Sequence, residues 1–439
     1  MRTALVATLV LGMAGPLSSA AAQTTQTCIT PKCHATLGKE RFVHGPVAVG
    51  ECTSCHALLK GETHKFSPVG KTESLCLKCH EPMAKKVVIH APVAQGQCTA
   101  CHDPHQGKQK FLLRGATVAG MCYTCHKRET FTKKYVHHPV AEGDCIVCHA
   151  PHTSDKGRLL VEAGSGLCFQ CHADLKESFA RAKHIHKPVA DNCLSCHSAH
   201  SNDAQFILTR EMPGLCLDCH SALREHLAAV VIRHDAVDNE RKCMNCHTPH
   251  DAPYAAQLKN EPMALCLSCH NTEMTTAHSE KLGNLALLFD THKEWHGPVR
   301  DRDCSGCHDT HGSGFFRILR QRYPKEFYVS YSADQYDLCF SCHDPTLAQD
   351  ATTTTLTGFR DGDNNLHYVH VNRKVKGRTC RSCHETHASQ KPRHIRESVP
   401  FGQWMLPIRF ESSANGGKCS PGCHAPLSYS RSTDASPRK

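Results

Sequence analysis

Every one of the 30 cysteines in this chain belongs to a pair closed by a histidine. Thirteen sites read Cys-x-x-Cys-His: Cys52, Cys55 and His56; Cys76, Cys79 and His80; Cys98, Cys101 and His102; Cys122, Cys125 and His126; Cys145, Cys148 and His149; Cys168, Cys171 and His172; Cys193, Cys196 and His197; Cys216, Cys219 and His220; Cys243, Cys246 and His247; Cys266, Cys269 and His270; Cys304, Cys307 and His308; Cys339, Cys342 and His343; Cys380, Cys383 and His384. Two have longer spacers: Cys28, Cys33 and His34, and Cys419, Cys423 and His424. Cys-x-x-Cys-His is the attachment sequence of c-type haem. Residues three and four apart share a helical face, so two thiols reach the vinyl edge of a porphyrin while the histidine reaches its iron. Zinc ribbons and disulfide scaffolds also pair cysteines, but neither needs a histidine directly after every second one. With 36 histidines in 439 residues, fifteen such coincidences are not chance. The expected cofactor is haem c, fifteen times.

That loading dictates the fold class. Two Trp and 6% aromatic residues leave little for conventional cores. Residues 23–439 would carry one porphyrin per about 28 residues. The expectation is a mostly irregular chain with short α-helices wrapped around a haem stack, with little or no β-sheet. The apo chain should be largely unfolded, because binding and folding free energies merge when the ligand is the core. Arg2, the apolar run 4–13 and Ala20-Ala21-Ala22 read as a signal peptide cut before Gln23. The run is shorter than the ~20 residues a spanning helix needs. The chain is therefore expected to be exported, to a periplasm or beyond, without a transmembrane segment of its own.

The motifs repeat. Their starts lie 22 to 27 residues apart up to Cys266 and 35 to 41 residues apart thereafter. They alternate in type: one follows His-x-Pro-Val and has a further histidine three residues on, the other is announced by Leu-Cys. The organisation reads as a signal peptide over 1–22, a leading single-haem segment over 23–43, five two-haem repeats over 44–291, and two expanded repeats with inserted loops over 292–439. The run from His90-Ala-Pro-Val through Cys98, Cys101, His102 and His105 to Cys122, Cys125 and His126 resembles the doubled Cys-x-x-Cys-His multihaem cytochromes c of bacterial respiratory and extracellular electron transfer. The resemblance covers nearly the whole mature chain. It implies electron transfer through closely packed, mostly bis-histidine haems. The stretched first and last motifs and the insertions around 315–337 and 345–366 depart from the pattern.

Histidines outside the motifs supply second axial ligands. His44, His90, His137, His186, His234, His296 and His370 stand upstream of a first-type motif. His105, His152, His200, His250, His311 and His387 lie three residues after one. The first repeat has Leu59 at that position, and His64 is its candidate replacement. These make fourteen distal candidates, and the fifteenth must be His138, His184, His226, His278, His292, His367 or His394. Two imidazoles fill both axial positions, so such an iron exchanges electrons and does not readily bind substrate; His in place of Met lowers its potential.

The reading is an electron carrier, not an enzyme, serving other redox proteins, with an outer-membrane porin or extracellular cytochrome as candidate partner. The even early spacing suits a slender stack with a bulkier C-terminal end. The alternative is a nitrite- or hydroxylamine-type multihaem reductase with one open iron. The formal charge of +10 would ordinarily invite a nucleic-acid reading, but thirty propionates absorb it, and no nucleic-acid motif is present. Helices are expected over 221–237 and 272–295. Exposed loops are expected over 352–355 and 361–365, and packing aromatics at Tyr323, Phe327, Tyr328, Tyr331 and Tyr336.

Overall fold

The computed structural model describes residues 28–62 and 64–433. The expected signal peptide lies outside them. The chain divides into two compact units, Met1–Ala163 and Gly164–Lys439.

Both units are built from very short elements, and the repeat sequence explains why. Pro46, Pro92, Pro188 and Pro298 sit in the first turn of four- or five-residue helices, where a missing N–H costs nothing. In the first unit Gly50 and Gly96, at φ of 76° and 68°, then turn the chain out of the helix. The histidine ahead of each helix stays extended, as at His44 (φ −65°, ψ 139°) and His90 (φ −63°, ψ 135°). Two residues before that histidine form a two-residue antiparallel ladder with the two residues after the next repeat's trailing histidine. In the first unit Phe42–Val43 pairs with Gln106–Gly107, and Val88–Ile89 with Thr153–Ser154. In the second, His184–Ile185 pairs with Asp251–Ala252, Ile232–Arg233 with Gly312–Ser313, and Glu294–Trp295 with Ala388–Ser389. Each ladder continues into the histidines themselves: the N–H of His44 donates to the carbonyl of His105 at 2.8 Å, and that of His296 to His387 at 3.0 Å. Within each unit the two-motif repeats are therefore interleaved, clasped to their successors.

The polypeptide supplies little core. Among the described residues of the first unit no hydrophobic side chain is fully buried. Ordering a residue costs about 1–2 kcal/mol of backbone entropy, and a fully buried aliphatic side chain returns about 1.5–3 kcal/mol, so this unit cannot balance from its own side chains. The second unit has two clusters. Met263, Phe289, Val299 and Ala388 form one; Tyr323, Tyr336, Ala348 and Val371 form the other, with Tyr331 against it. The expected aromatic packing is thus present around the insertion.

Three expectations need correction. The helix expected over 221–237 ends at Ala229, because Ile232–Arg233 must be extended to pair with Gly312–Ser313; Val231 is left exposed. Over 272–295 only Leu285–Thr291 is helical, preceded by the hairpin of Met274–Thr275 and Lys281–Leu282. The loops expected to be exposed are so only in part: Thr352, Thr354, Thr355, Asp363 and Asn364 are exposed, but Thr353 is buried, and Arg360–Asp361 pairs with Asn364–Asn365, leaving Asn365 wholly inaccessible. The sheet content is small, as expected, except around the last motif. There Ser398–Phe401 pairs with Trp404–Pro407, and Phe410–Ser413, Gly416–Cys419 and Leu427–Ser430 make three strands. Among the described residues no helix is long and apolar enough to cross a membrane.

A Cβ at Gly416 would stand 2.0 Å from the Tyr429 carbonyl oxygen, whereas one at Gly358 meets only the Arg431 side chain at 3.6 Å. Gly416→Ala is accordingly expected to lower stability by about 1–3 kcal/mol. Gly358→Ala should change it by less than about 1 kcal/mol. Denaturant unfolding of the two variants side by side checks this.

Candidate haem sites

The regular motifs fold as the chemistry requires. Each opens a single turn, and its histidine N–H returns to the first cysteine's carbonyl: His56 to Cys52 at 2.9 Å, His102 to Cys98 at 3.0 Å, His270 to Cys266 at 3.0 Å. The first cysteine and the histidine thus lie four apart on one face. No disulfide joins any of the cysteines. The stretched motifs differ. Thr30 and Cys33 close a tight turn of their own, and His34 takes a left-handed φ of 51°. Cys419 ends a strand.

The motif histidines face partners. In the first unit the ring centroids of His34 and His64 are 6.1 Å apart, His44 and His80 5.9 Å, His56 and His105 6.0 Å, His90 and His126 6.3 Å, and His102 and His152 5.9 Å. In the second unit the pairs are His186 with His220 (6.1 Å), His197 with His250 (6.0 Å), His234 with His270 (6.2 Å), His247 with His311 (6.2 Å), His296 with His343 (6.1 Å), His308 with His387 (6.1 Å), His367 with His384 (6.3 Å) and His370 with His424 (6.4 Å). Interplanar angles run from 9° to 36°. An imidazole nitrogen sits about 2 Å from a first-row metal ion and roughly 1 Å from its own ring centre, so two imidazoles on one ion have centroids about 6 Å apart. The residues present fit an iron between each pair.

The pairing follows a rule. A second-type motif takes the leading histidine of its own repeat, as His126 takes His90. A first-type motif takes the trailing histidine of the next repeat, as His102 takes His152. The exceptions sit at the ends. His34, ahead of all repeats, meets His64. His384, in the last repeat of this sequence, meets His367, which lies three residues before His370 in the helix Leu366–Val371. Among the seven histidines left open by the sequence, His367 is the one placed opposite a motif histidine. His137 is extended (φ −62°, ψ 135°) ahead of His138–Ala141, as His44 and His90 are ahead of theirs. The His200 N–H donates to Ser198 Oγ at 3.4 Å.

Backbone carbonyls hold the rings, and sequence reading missed them. Nδ1 of His102 donates to the carbonyl of Phe111 at 2.7 Å, His149 to Arg158 at 3.0 Å, His197 to Phe206 at 3.0 Å, His247 to Ala256 at 2.8 Å, His308 to Arg317 at 3.0 Å and His384 to Arg393 at 2.9 Å. A proton fixed on Nδ1 leaves the Nε2 lone pair for a metal. Each acceptor residue has a left-handed backbone, with φ from 54° at Arg317 to 61° at Phe111 and Arg393, and so does the residue after it. Such non-glycine conformations cost about 1–3 kcal/mol each, so six recurrences mark a shared task. The signal was in the sequence: an acceptor nine residues after the motif histidine, and Leu or Ile two residues later. The leading histidines are held likewise, His44 by Pro104 and His90 by Pro151, both at 2.9 Å, His186 by Pro249 and His234 by Thr310, both at 3.0 Å. Burial pushes His367 and His387 down to about 4, with the facing His384 and His308 adding to the shift. Both rings are therefore neutral at physiological pH and able to ligate.

Consecutive motifs also touch through their thiols. Cys28 lies beside Cys52, Cys76 beside Cys98 and Cys122 beside Cys145; in the second unit Cys216 lies beside Cys243, Cys266 beside Cys304 and Cys339 beside Cys380. Between those contacts Cys101 neighbours Cys125, Cys196 neighbours Cys219, Cys246 neighbours Cys269 and Cys307 neighbours Cys342.

Asn365 organises the last two sites. Its Oδ1 accepts from the N–H of His367 at 3.0 Å, capping the helix that bears His367 and His370. Its Nδ2 donates to the carbonyls of Leu347 at 3.0 Å and Asp350 at 2.8 Å. The insertion that looked like a solvated loop is the seat of two imidazoles.

Six segments, 44–85, 90–131, 137–177, 186–225, 234–275 and 296–348, match the family model of the doubled CXXCH motif. Together they span more than half of the chain. Fold and motifs thus define a multihaem cytochrome. The chain belongs to the doubled CXXCH motif family, and its repeated motifs bind c-type haem. The motifs at Cys28, Cys380 and Cys419 lie outside the matched segments. No curated protein matches the chain.

Asn365→Ala removes the cap and leaves two carbonyls without their donor, which is expected to destabilise the region by about 1–3 kcal/mol. Electron paramagnetic resonance of the oxidised protein should then show a high-spin signal from at most two irons. Asn365→Asp, which keeps the cap acceptor, should show less.

Proposed function

We propose that this chain carries fifteen covalent haems c and conducts electrons along them, in the order of the sequence, as an exported respiratory electron carrier. The observation that supports this best is the set of imidazole pairs, recurrent at the spacing one iron requires, on motifs whose thiols adjoin the next motif in line. Haem c supplies a one-electron ferric–ferrous couple when bound. The chain's own residues do the rest. Paired cysteines tether each porphyrin by its vinyl edge. Facing histidines occupy both axial positions, which keeps substrate off the metal and limits rearrangement when an electron moves. Nδ1–carbonyl bonds fix the tautomer and raise ligand basicity, which together with His–His ligation favours low potentials.

In this reading His34, His56, His80, His102, His126, His149, His172, His197, His220, His247, His270, His308, His343, His384 and His424 are proximal ligands. His367 completes the distal set, opposite His384. Lys and Arg offset the propionates, so the loaded protein is acidic despite its formal +10. A periplasmic or extracellular redox protein is the expected partner, and a porin-held arrangement is one form it could take.

Intact-mass and peptide mass spectrometry of the protein from an anaerobically grown, haem-maturing host should show fifteen covalent haems, including those at Cys28 and Cys419. Five or fewer would end the reading. Exclusively low-spin ferric signals are expected alongside; a large high-spin fraction in the unmodified protein would favour a reductase.

A further inference from the structure

We propose that the leading site, formed by Cys28, Cys33, His34 and His64, is the place among the described imidazole pairs that is open to an exogenous ligand: His64 is a displaceable iron ligand there. The inference rests on the haem reading above and concerns what one site does within it.

Four observations single this site out. First, His34 and His64 are the one pair, among those described, in which both imidazoles are exposed; every other pair has at least one half-buried ring. Second, nearly all the other pairs hold a ring by an Nδ1–carbonyl bond, proximal at His102 or His308 and distal at His44 or His90. Among the described residues neither His34 nor His64 has one. At the opposite end both rings do: His370 donates to Leu366 at 2.7 Å and His424 to Ala425 at 2.6 Å. Third, the trailing and most of the leading histidines are clamped in two-residue ladders, as His105 is against His44. His64 sits instead in a short turn closed within its own repeat, where Leu58 bridges Phe66 and the Leu59 N–H donates to the Lys65 carbonyl at 2.8 Å. Fourth, its remaining ring contact is the edge of Phe66 at 5.6 Å, and Phe66 is itself exposed.

Each difference acts in the same direction. A ligand whose far nitrogen donates to no carbonyl is less basic and less fixed in orientation. A ligand on a turn closed within its own repeat recovers more conformational entropy when it leaves than one clasped between two repeats. An exposed imidazole released from a metal is rehydrated. At a clamped, buried ring such as His387 the same departure would strand a polar nitrogen and break a ladder. The site thus accepts a small lone-pair donor: one coordination bond to His64 breaks, one to the incoming molecule forms, and no electron is transferred in the exchange.

The arrangement at the far end makes the contrast intrinsic to the chain. His367 and His370 share one capped helix and lie under Phe359. They can yield only if the Asn365 network yields too. The ladder is therefore closed at its C-terminal end and labile at its N-terminal end.

Carbon monoxide is the probe. The dithionite-reduced holoprotein should bind it at about one haem in fifteen, read as a Soret change of that fraction. In His64→Ala the haem count by mass should be unchanged and binding should remain at one haem. The affinity should rise about tenfold or more, because a competing ligand no longer holds the site closed. His387→Ala should add a second binding haem. No carbon monoxide uptake by the unmodified protein, or uptake whose affinity His64→Ala leaves unaltered, would overturn the proposal. A haem count far below fifteen would instead defeat the parent reading, whatever carbon monoxide does.

Discussion

The structure depends on one repeated constraint: two imidazoles held with their ring centroids about 6 Å apart. Every local feature that is costly in isolation serves it. The paired left-handed residues at Phe111 and Leu112, and at their five counterparts, are strained. Their return is a carbonyl aimed at the motif histidine. The two-residue ladders are too short to be stable alone, but each fixes a leading and a trailing histidine at once. Among the described residues of the first unit no hydrophobic side chain is fully buried, so its order rests on these sites.

Interleaving follows from that constraint. Because a first-type motif ahead of the last repeat draws its partner from the next repeat, such a repeat completes one of its two sites and leaves the other to its successor within each unit. The scheme needs special solutions at its two ends. Ahead of the first repeat of this sequence His34 meets His64 on a loop. In its last repeat an inserted hairpin and a capped helix supply His367 and His370. The two solutions are opposite in character, exposed and loosely held against buried and networked.

Much of the site was legible in the sequence because covalent chemistry fixes its spacing. The Cys-x-x-Cys-His turns, the register of the leading and trailing histidines, and the candidacy of His64 needed only counting. What could not be read was pairing across repeats, since a histidine's register says nothing about which neighbour it faces. The helix expected over 221–237 failed for a related reason: its apolar stripe at Leu223 and Leu227 is real, but tertiary pairing of Ile232–Arg233 overrides propensity beyond Ala229. Asn365 was misread because Asp361-Gly-Asp-Asn-Asn365 has the composition of a solvated turn. A single buried amide, with its donors and its acceptor all used, makes it a structural seat instead. The Nδ1 acceptors were missed because a carbonyl leaves no signature in its own residue; only the nine-residue offset and the Leu or Ile two residues later recur.

The most direct test is a high-resolution density map of the haem-loaded protein. The account predicts one iron between His102 and His152, one between His90 and His126, and one between His384 and His367, with successive irons following the order of the motifs. An iron shared by His102 and a histidine of its own repeat, or a motif histidine facing solvent where a partner imidazole should be, would contradict it.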